Sequence, residues 1–295
     1  VKKASIILFA RDKVKHVARA LRSCLAQTYG NLEILVGDQG SADGTRAIIH
    51  KIASEYKGPH KLRVFDCPDT EYRGFIGCNR HMKFLMDRVE GEVAFPQSAD
   101  DWSMPNRVET QMEVFERTGA AMVTGKMQYE ENGSIVGSTT HDTEGWLTMK
   151  QVVVERAGSS GCSDWRTDFW HNATPIPELI GSDVWLPPIA VVLGGIYFSK
   201  TPVYTYTQTA DSGNTGLNGV IRNLAGDDKL PVVEAAQYQL AYAQQELMTW
   251  FSKKGLGSQE DLQILYEEMM YKLIAMFELR KQMTYKKLEP YRIAA

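Results

Sequence analysis

Leu32-Glu-Ile-Leu-Val36, running straight into Gly37-Asp-Gln-Gly-Ser-Ala-Asp-Gly44, reads as a strand buried on both faces that ends in a turn-rich loop. Asp43 stands where it can cap a helix carrying Ala47, Ile48 and Ile52, which stops at Gly58. Upstream, Ser5-Ile-Ile-Leu-Phe9 is another short apolar run, followed by Val17, Leu21, Cys24 and Leu25 at helical spacing. Downstream, Leu62 to Cys67 and Val93 to Gln97 read as strands, with His81 to Arg88 as a helix between them. Strand and helix alternate, which predicts an α/β fold of right-handed βαβ units around a mostly parallel sheet. Ligands of such sheets bind outside the carboxyl ends of the strands. The loops after Phe9, Val36 and Gln97 are therefore where chemistry is expected.

One of those loops is Ser98-Ala-Asp-Asp-Trp102, trailed by Met-Pro-Asn-Arg107. Adjacent carboxylates repel unless a cation or hydrogen-bond donors neutralise them. A divalent metal on a diphosphate is one remedy, since Mg²⁺ and Mn²⁺ accept one or two carboxylates plus phosphate oxygens. A solvated acidic turn capping the Pro105 helix is the other reading, and the residues alone leave the two even. Asp38 also has two readings: a turn aspartate working with Ser41 and Asp43, which the residues alone favour, or a ligand for a base or ribose.

The blocks Ser5-Ile-Ile-Leu-Phe-Ala-Arg-Asp12, Ala20-Leu-Arg-Ser-Cys-Leu-Ala-Gln-Thr-Tyr29 and Asn31 to Thr45, with Ser98-Ala-Asp-Asp-Trp-Ser-Met-Pro105, resemble family 2 glycosyltransferases. The resemblance is specific over residues 4–110, weaker to about 210 and absent from the last eighty. It implies a GT-A fold, a nucleoside-diphosphate sugar donor (a UDP-sugar favoured) and a Mn²⁺ or Mg²⁺ cofactor. By this resemblance Ala10 and Asp12 touch the nucleotide, Asp38 contacts the base, and Arg73 and Gly74 line the base and ribose pocket. Asp100 binds the metal, and Asp101 faces metal or donor sugar. The family often carries three acids here, and the first is Ser98 in this chain. Ile180-Gly-Ser-Asp-Val-Trp-Leu186 resembles the acceptor-side segment, in which Asp183 is the base that takes the acceptor proton. The alternative for Asp183 is an N-cap, and Asp164 and Asp168 are reserve bases. Gln-x-x-Arg-Trp, which marks the processive members, is absent. The resemblance thus implies inverting, non-processive transfer of a single sugar, hexosyltransferase-like, to an acceptor hydroxyl left open among glycan, lipid, protein, small molecule and nucleic acid.

Two other classes compete. A nucleotidyltransferase needs a Gly-rich basic loop after the first strand, and Phe9-Ala-Arg-Asp-Lys-Val-Lys15 lacks the glycines. A nucleotide-sugar-binding module without catalysis is supported by Ser98 and Ser182, where acids are usual. Trp146, Trp165, Trp170 and Trp185 offer rings for sugar stacking, although at least two are expected in the core. His141 and His171 are candidates for a metal shell, against the commoner structural role of a lone histidine.

The remaining text bounds the answer. The chain has 295 residues, 43% of them apolar, and a formal net charge of -3, so nothing global suits a polyanion binder. Its four cysteines form no C-x-x-C pair, which favours reduced thiols and a cytoplasmic protein. The longest apolar stretch, Ile189 to Phe198, holds two glycines and is too short for a bilayer. Asn132-Gly133 between extended runs predicts a hairpin. Pro231 to Lys254 and Ser258 to Lys287 read as two long helices, with Ser258-x-x-Asp261 as a capping box. A GT-A domain over 1–222 and a helical region over 223–295 are expected. The apolar stripes of that region (Leu240, Leu247 and Phe251, then Leu262, Leu265, Met269, Leu273, Met276 and Phe277) need a cover: the body of the protein, a second subunit in a homo-oligomer or a membrane surface, with the first two favoured.

Overall fold

Apolar runs with no polar face must be covered on both sides, and the strands built from them lie at the centre of a sheet. The computed structural model describes residues 2–68, 70–72, 74–157, 162–178, 180–208 and 229–288, with side chains at all of these except 74–75, 229–239, 276–277 and 279–288. It divides into two compact units, Val1–Thr209 and Ala210–Ala295.

The first unit opens with β1 (Ala4–Ala10), α1 (Val17–Leu25), β2 (Leu32–Asp38), α2 (Thr45–Glu55), β3 (Lys61–Asp66), α3 (Gly74–Met86) and β4 (Val93–Ser98). These four strands lie in the order β3-β2-β1-β4, all parallel. Every residue of β2 is buried. Its one charged interior residue, Glu33, accepts from Ser5 Oγ at 2.7 Å and from the Glu90 amide at 2.7 Å, so the run tolerates a carboxylate. The helix expected from His81 begins earlier, at Gly74, because Gly74 and Gly77 obscure its first turns in the sequence. The helix expected to reach Gly58 ends at Glu55, where Tyr56 turns extended.

The chain continues through β5 (Trp102–Ser103), α4 (Arg107–Thr118), β6 (Met122–Glu131), β7 (Ser134–Ser138), β8 (Gly145–Trp146), α5 (Met149–Val153), β9 (Ser163–Arg166), α6 (Thr167–Ala173), α7 (Ser182–Leu193) and β10 (Ile196–Gln208). The sheet extends as β4-β9-β6-β10-β5, with β9 antiparallel to both neighbours and β6 parallel to β10. Asn132 and Gly133 both take positive φ, 51° and 82°, and join β6 to β7 as expected.

Gly37 shows how tightly the end of β2 is packed. A Cβ there would lie 2.3 Å from His81 Nε2 and 2.7 Å from Cys67 Sγ. Gly37→Ala is expected to destabilise the first unit by about 1–3 kcal/mol, as overpacked cores do. Urea denaturation checks this, and an unchanged midpoint would contradict it.

The four cysteines are free. Burial pushes the thiols of Cys24, Cys67 and Cys162 up to about 12, so they are poor nucleophiles. The second unit contains α8 (Lys229–Lys254) and α9 (Gln259–Leu288), which pack on each other. Leu247, Phe251 and Leu265 of the expected stripes are fully buried. The capping box is present: the Asp261 amide donates to Ser258 Oγ at 3.1 Å and the Ser258 amide to Asp261 Oδ2 at 2.9 Å. The boundary expected at 222/223 and the observed division at 209/210 both fall in a stretch outside the described residues. Among the described residues no helix is long and apolar enough to cross a membrane.

Candidate active site

Parallel strands bring their carboxyl ends to one edge. The register pairs Ala10 with Asp38 and Phe9 with Ser98, so β1, β2 and β4 open side by side. The buried Ala10 accepts from the Gln39 amide at 3.0 Å, joining the first loop to the second. Asp12 takes a positive φ of 52°. Its carboxylate accepts from the Ala42 amide at 2.9 Å, and its own amide donates to Ser41 Oγ at 3.0 Å. Asp38 is buried; Oδ1 accepts from the Ser41 amide at 3.0 Å and Oδ2 from Ser41 Oγ at 2.5 Å. The turn role of Asp38 is therefore real, and a carboxylate has further lone pairs for a ligand. Asp43 accepts from the Thr45 amide at 3.0 Å at the start of α2, from one residue before the Gly44 cap.

The acidic loop separates its two carboxylates. Asp100 Oδ2 lies 2.8 Å from Lys13 Nζ, and Oδ1 accepts from Ser98 Oγ at 2.5 Å. Asp101 turns the other way: Oδ2 accepts from the Tyr204 hydroxyl and Oδ1 from the Thr207 amide, both at 2.8 Å. Burial, and then the neighbouring Asp100 charge, raise the Asp101 carboxyl well above the ordinary aspartate range. The repulsion anticipated from the sequence is relieved by an ammonium for one acid and by buried donors for the other. Next to them, Arg19 grips Glu130 with two bonds of 2.6 Å, Trp102 Nε1 donates to the same carboxylate at 2.9 Å, and the guanidinium lies 4.5 Å from the Trp102 ring.

Arg11 donates to the carbonyls of Thr70 and Tyr72, and Arg80 lies 3.9 Å over the Tyr72 ring. Together they hold the segment leading to Arg73, which is outside the described residues, and to Gly74, which opens α3. Cys78, one turn further, has its thiol raised by burial and then by Asp100, with Asp183 also acting on it. Asn79 of α3 donates to the Ile180 carbonyl at 2.8 Å, which ties α3 to the segment before α7.

Asp183 is the second residue of α7, whose N-cap is Gly181. The residue is exposed, and desolvation of its carboxyl group raises it above the ordinary aspartate range, with Arg156 opposing the rise. The reserve bases are elsewhere. Asp164 is fully buried against Arg107 at 2.5 Å, and Asp168 pairs with Arg166 at 2.8 Å. Neither presents a free carboxylate beside Asp100.

Three of the four tryptophans offered for sugar stacking are core. Trp165 and Trp170 stack with centroids 5.5 Å apart, and Trp185 donates to the Ala173 carbonyl at 2.9 Å. Trp146 is exposed and packs edge-on to Tyr197. His141 is bound to the Thr143 carbonyl at 3.0 Å. Among the described residues no three His, Cys, Asp or Glu side chains form a metal-holding group. Sequence reasoning missed Lys13, Tyr204 and Thr207 as partners of the acidic loop. The signal for Lys13 was its place after the first strand, where a cation faces whatever anion binds at the strand ends.

A model of glycosyl transferase family 2 matches residues 5–160, more than half of the chain. The chain is 28% identical over 135 residues to the UDP-Glc:alpha-D-GlcNAc-diphosphoundecaprenol beta-1,3-glucosyltransferase WfgD of Escherichia coli, covering 45% of this chain and 49% of that one. It spans between 17% and 49% of the length of the curated relatives it matches. Among solved structures it is similar to S. aureus TarS 1-349 in complex with UDP-GlcNAc, with a TM-score of 0.57, 16% identity, and 94% and 81% of the two chains covered. It is also similar to mannosyltransferase PcManGT from Pyrobaculum calidifontis in complex with GDP-Man and Mn2+, with a TM-score of 0.53, 13% identity, and 92% and 81% covered. With this fold and this family match, the protein belongs to glycosyl transferase family 2 and has the GT-A fold.

Proposed function

We propose that the chain transfers one sugar from a nucleoside-diphosphate sugar, a UDP-sugar by preference, to an acceptor hydroxyl with inversion. The observation that carries this reading is the shared edge: Ala10, Asp12, Asp38 and the Lys13–Asp100 pair stand at the ends of three parallel strands. Similarity to proteins whose names include UDP-Glc, UDP-GlcNAc and GDP-Man supports the donor class.

Asp38 and the Asp12–Ala42 link form a pre-ordered rim for the nucleotide. Lys13 offers an ammonium to the diphosphate, and Arg73 and Gly74 are assigned to the base and ribose. Asp100 fits a divalent cation held mainly by the donor's phosphates, because such ions need only one or two protein carboxylates. Asp101 is less suited as a second ligand, since Tyr204 and Thr207 already engage both of its oxygens. A bound Mn²⁺ or Mg²⁺ would act as a Lewis acid for the leaving diphosphate. Asp183 accepts the acceptor proton, a role worth about 10²–10⁴-fold. Its raised carboxyl is a stronger base than an ordinary aspartate.

The test is UDP release from a panel of nucleotide sugars, with Mn²⁺ and with excess chelator. The reading expects metal-dependent release that an acceptor accelerates. Tight donor binding without release, for every donor and acceptor tried, would instead favour the non-catalytic module that Ser98 and Ser182 suggest.

A further inference from the structure

Beneath the acidic loop lies a buried polar cluster that takes no direct part in the transfer. Arg107, the first residue of α4, is fully buried. Its Nη1 donates to Gln97 Oε1 at 3.1 Å and to Ser103 Oγ at 3.0 Å. Its Nη2 donates to the Pro96 carbonyl at 3.0 Å and to Asp164 Oδ1 at 2.5 Å. Pro96 and Gln97 belong to β4 and Ser103 to β5, so one guanidinium clamps both ends of the Ala99–Asp101 connection. Ser103 Oγ also donates to Gln97 Oε1 at 2.5 Å, closing the clamp on itself.

The clamp continues into β10. The Arg107 guanidinium lies 4.8 Å from the centre of the Tyr204 ring, and the hydroxyl of that ring donates to Asp101. The Ser98 amide donates to the same hydroxyl over 3.4 Å, a weak bond. Asp101 is therefore held from below, with the Thr207 amide as its second donor. Burying Arg107 and Asp164 together is a poor way to gain stability, because desolvation of each ion costs several kcal/mol and an apolar pair often does as well. What the cluster supplies is orientation. Two adjacent acids that would repel are turned apart, one inward to Tyr204 and one outward to Lys13.

We propose that Arg107, Asp164 and Tyr204 are positioning residues of the donor site, which fix the Ala99–Asp101 connection so that Asp100 meets the donor's diphosphate and its cation. This rests on the reading of Asp100 given above. It assigns no contact with substrate to the three residues.

The test uses UDP and Mn²⁺ as probes on the full chain. Tyr204→Phe removes one hydroxyl and keeps the ring over Arg107. Arg107→Met combined with Asp164→Leu replaces the ion pair by apolar groups of similar size, so that the clamp is lost while packing is retained. UDP affinity is measured by calorimetry with and without Mn²⁺ in each protein, and bound Mn²⁺ is counted separately by electron paramagnetic resonance. The readout is the gain in UDP affinity that Mn²⁺ confers within each protein, which a merely structural role would not change in the folded fraction. The gain is expected to fall by about 10–100-fold in both variants, the effect usual for groups that orient a metal ligand. A gain equal to that of the wild type in the folded variants, even with a lowered melting temperature, would overturn the positioning role alone. A wild-type protein with no Mn²⁺ gain would overturn the reading of Asp100 and the positioning role with it. If one variant fails to fold, the other carries the comparison.

Discussion

Asp100→Asn is expected to lower donor turnover by about 10²–10³-fold or more, the loss seen when a group that stabilises leaving charge is removed. The substitution keeps the shape of the side chain and the bond from Ser98 Oγ, but removes the charge and turns the acceptor that faces Lys13 into an amide donor. Two consequences follow from the geometry. On the proposed reading, a cation on the diphosphate would lose the Asp100 carboxylate. Lys13, whose side chain is largely buried 2.8 Å away, loses its counter-charge. The ammonium then becomes a stronger anchor for the diphosphate itself, so metal-free UDP affinity should be maintained or rise while turnover collapses. Steady-state UDP release and calorimetry measure the two effects, with circular dichroism as the check on folding. Turnover close to wild type, or full wild-type activity in excess chelator, would show that Asp100 holds no catalytic cation.

The second large effect is expected at Asp183. Asp183→Asn should reduce kcat by about 10²–10⁴-fold, the usual range for a general base, with little change in donor affinity. The sign of the pH dependence follows from its surroundings. Desolvation raises this carboxyl above 3.8, and Arg156 only partly offsets the rise. The base works when ionised, so kcat should fall as pH drops through the raised value. The acid limb of the profile then lies above that of an ordinary aspartate, and it should vanish in Asp183→Asn. A variant with near-normal kcat, or an unchanged acid limb, would remove Asp183 from the role. Neither Asp164 nor Asp168 is placed to inherit it, since each is committed to an arginine.

Much of the frame was legible in the residues because it depends on local rules. The runs Ser5 to Phe9 and Leu32 to Val36 cannot leave a face to water, and they became the central parallel strands β1 and β2. Asn132-Gly133 accepts positive φ at both positions, and the hairpin formed there. Ser258 and Asp261 satisfied each other's amides as a capping box must. The segment from Gly145 to Ser182 resisted reading. It is cut into elements as short as two residues, β8, and four, β9, and no periodicity can show in so few positions. The glycines at 74 and 77 hid the start of α3 for a related reason: they lower helix propensity where tertiary packing decides the outcome.

The candidate site divides along the same line. Which loops carry it, and that Asp38, Asp100, Asp101 and Asp183 are its acids, could be argued from strand ends and a family resemblance. What each acid does could not. Tyr204 stands 103 positions from Asp101 in the chain, and Asp164 stands 57 from Arg107. Pairings at such separations leave no periodic trace, because they arise only when distant strands are laid side by side. The sequence by itself determined a parallel α/β sheet with an acidic loop at the edge where ligands bind. Only the tertiary structure decided that Asp100 faces Lys13, that Asp101 faces inward, and that three tryptophans serve the core, because burial and partner charge belong to the assembled sheet and to no single stretch of chain.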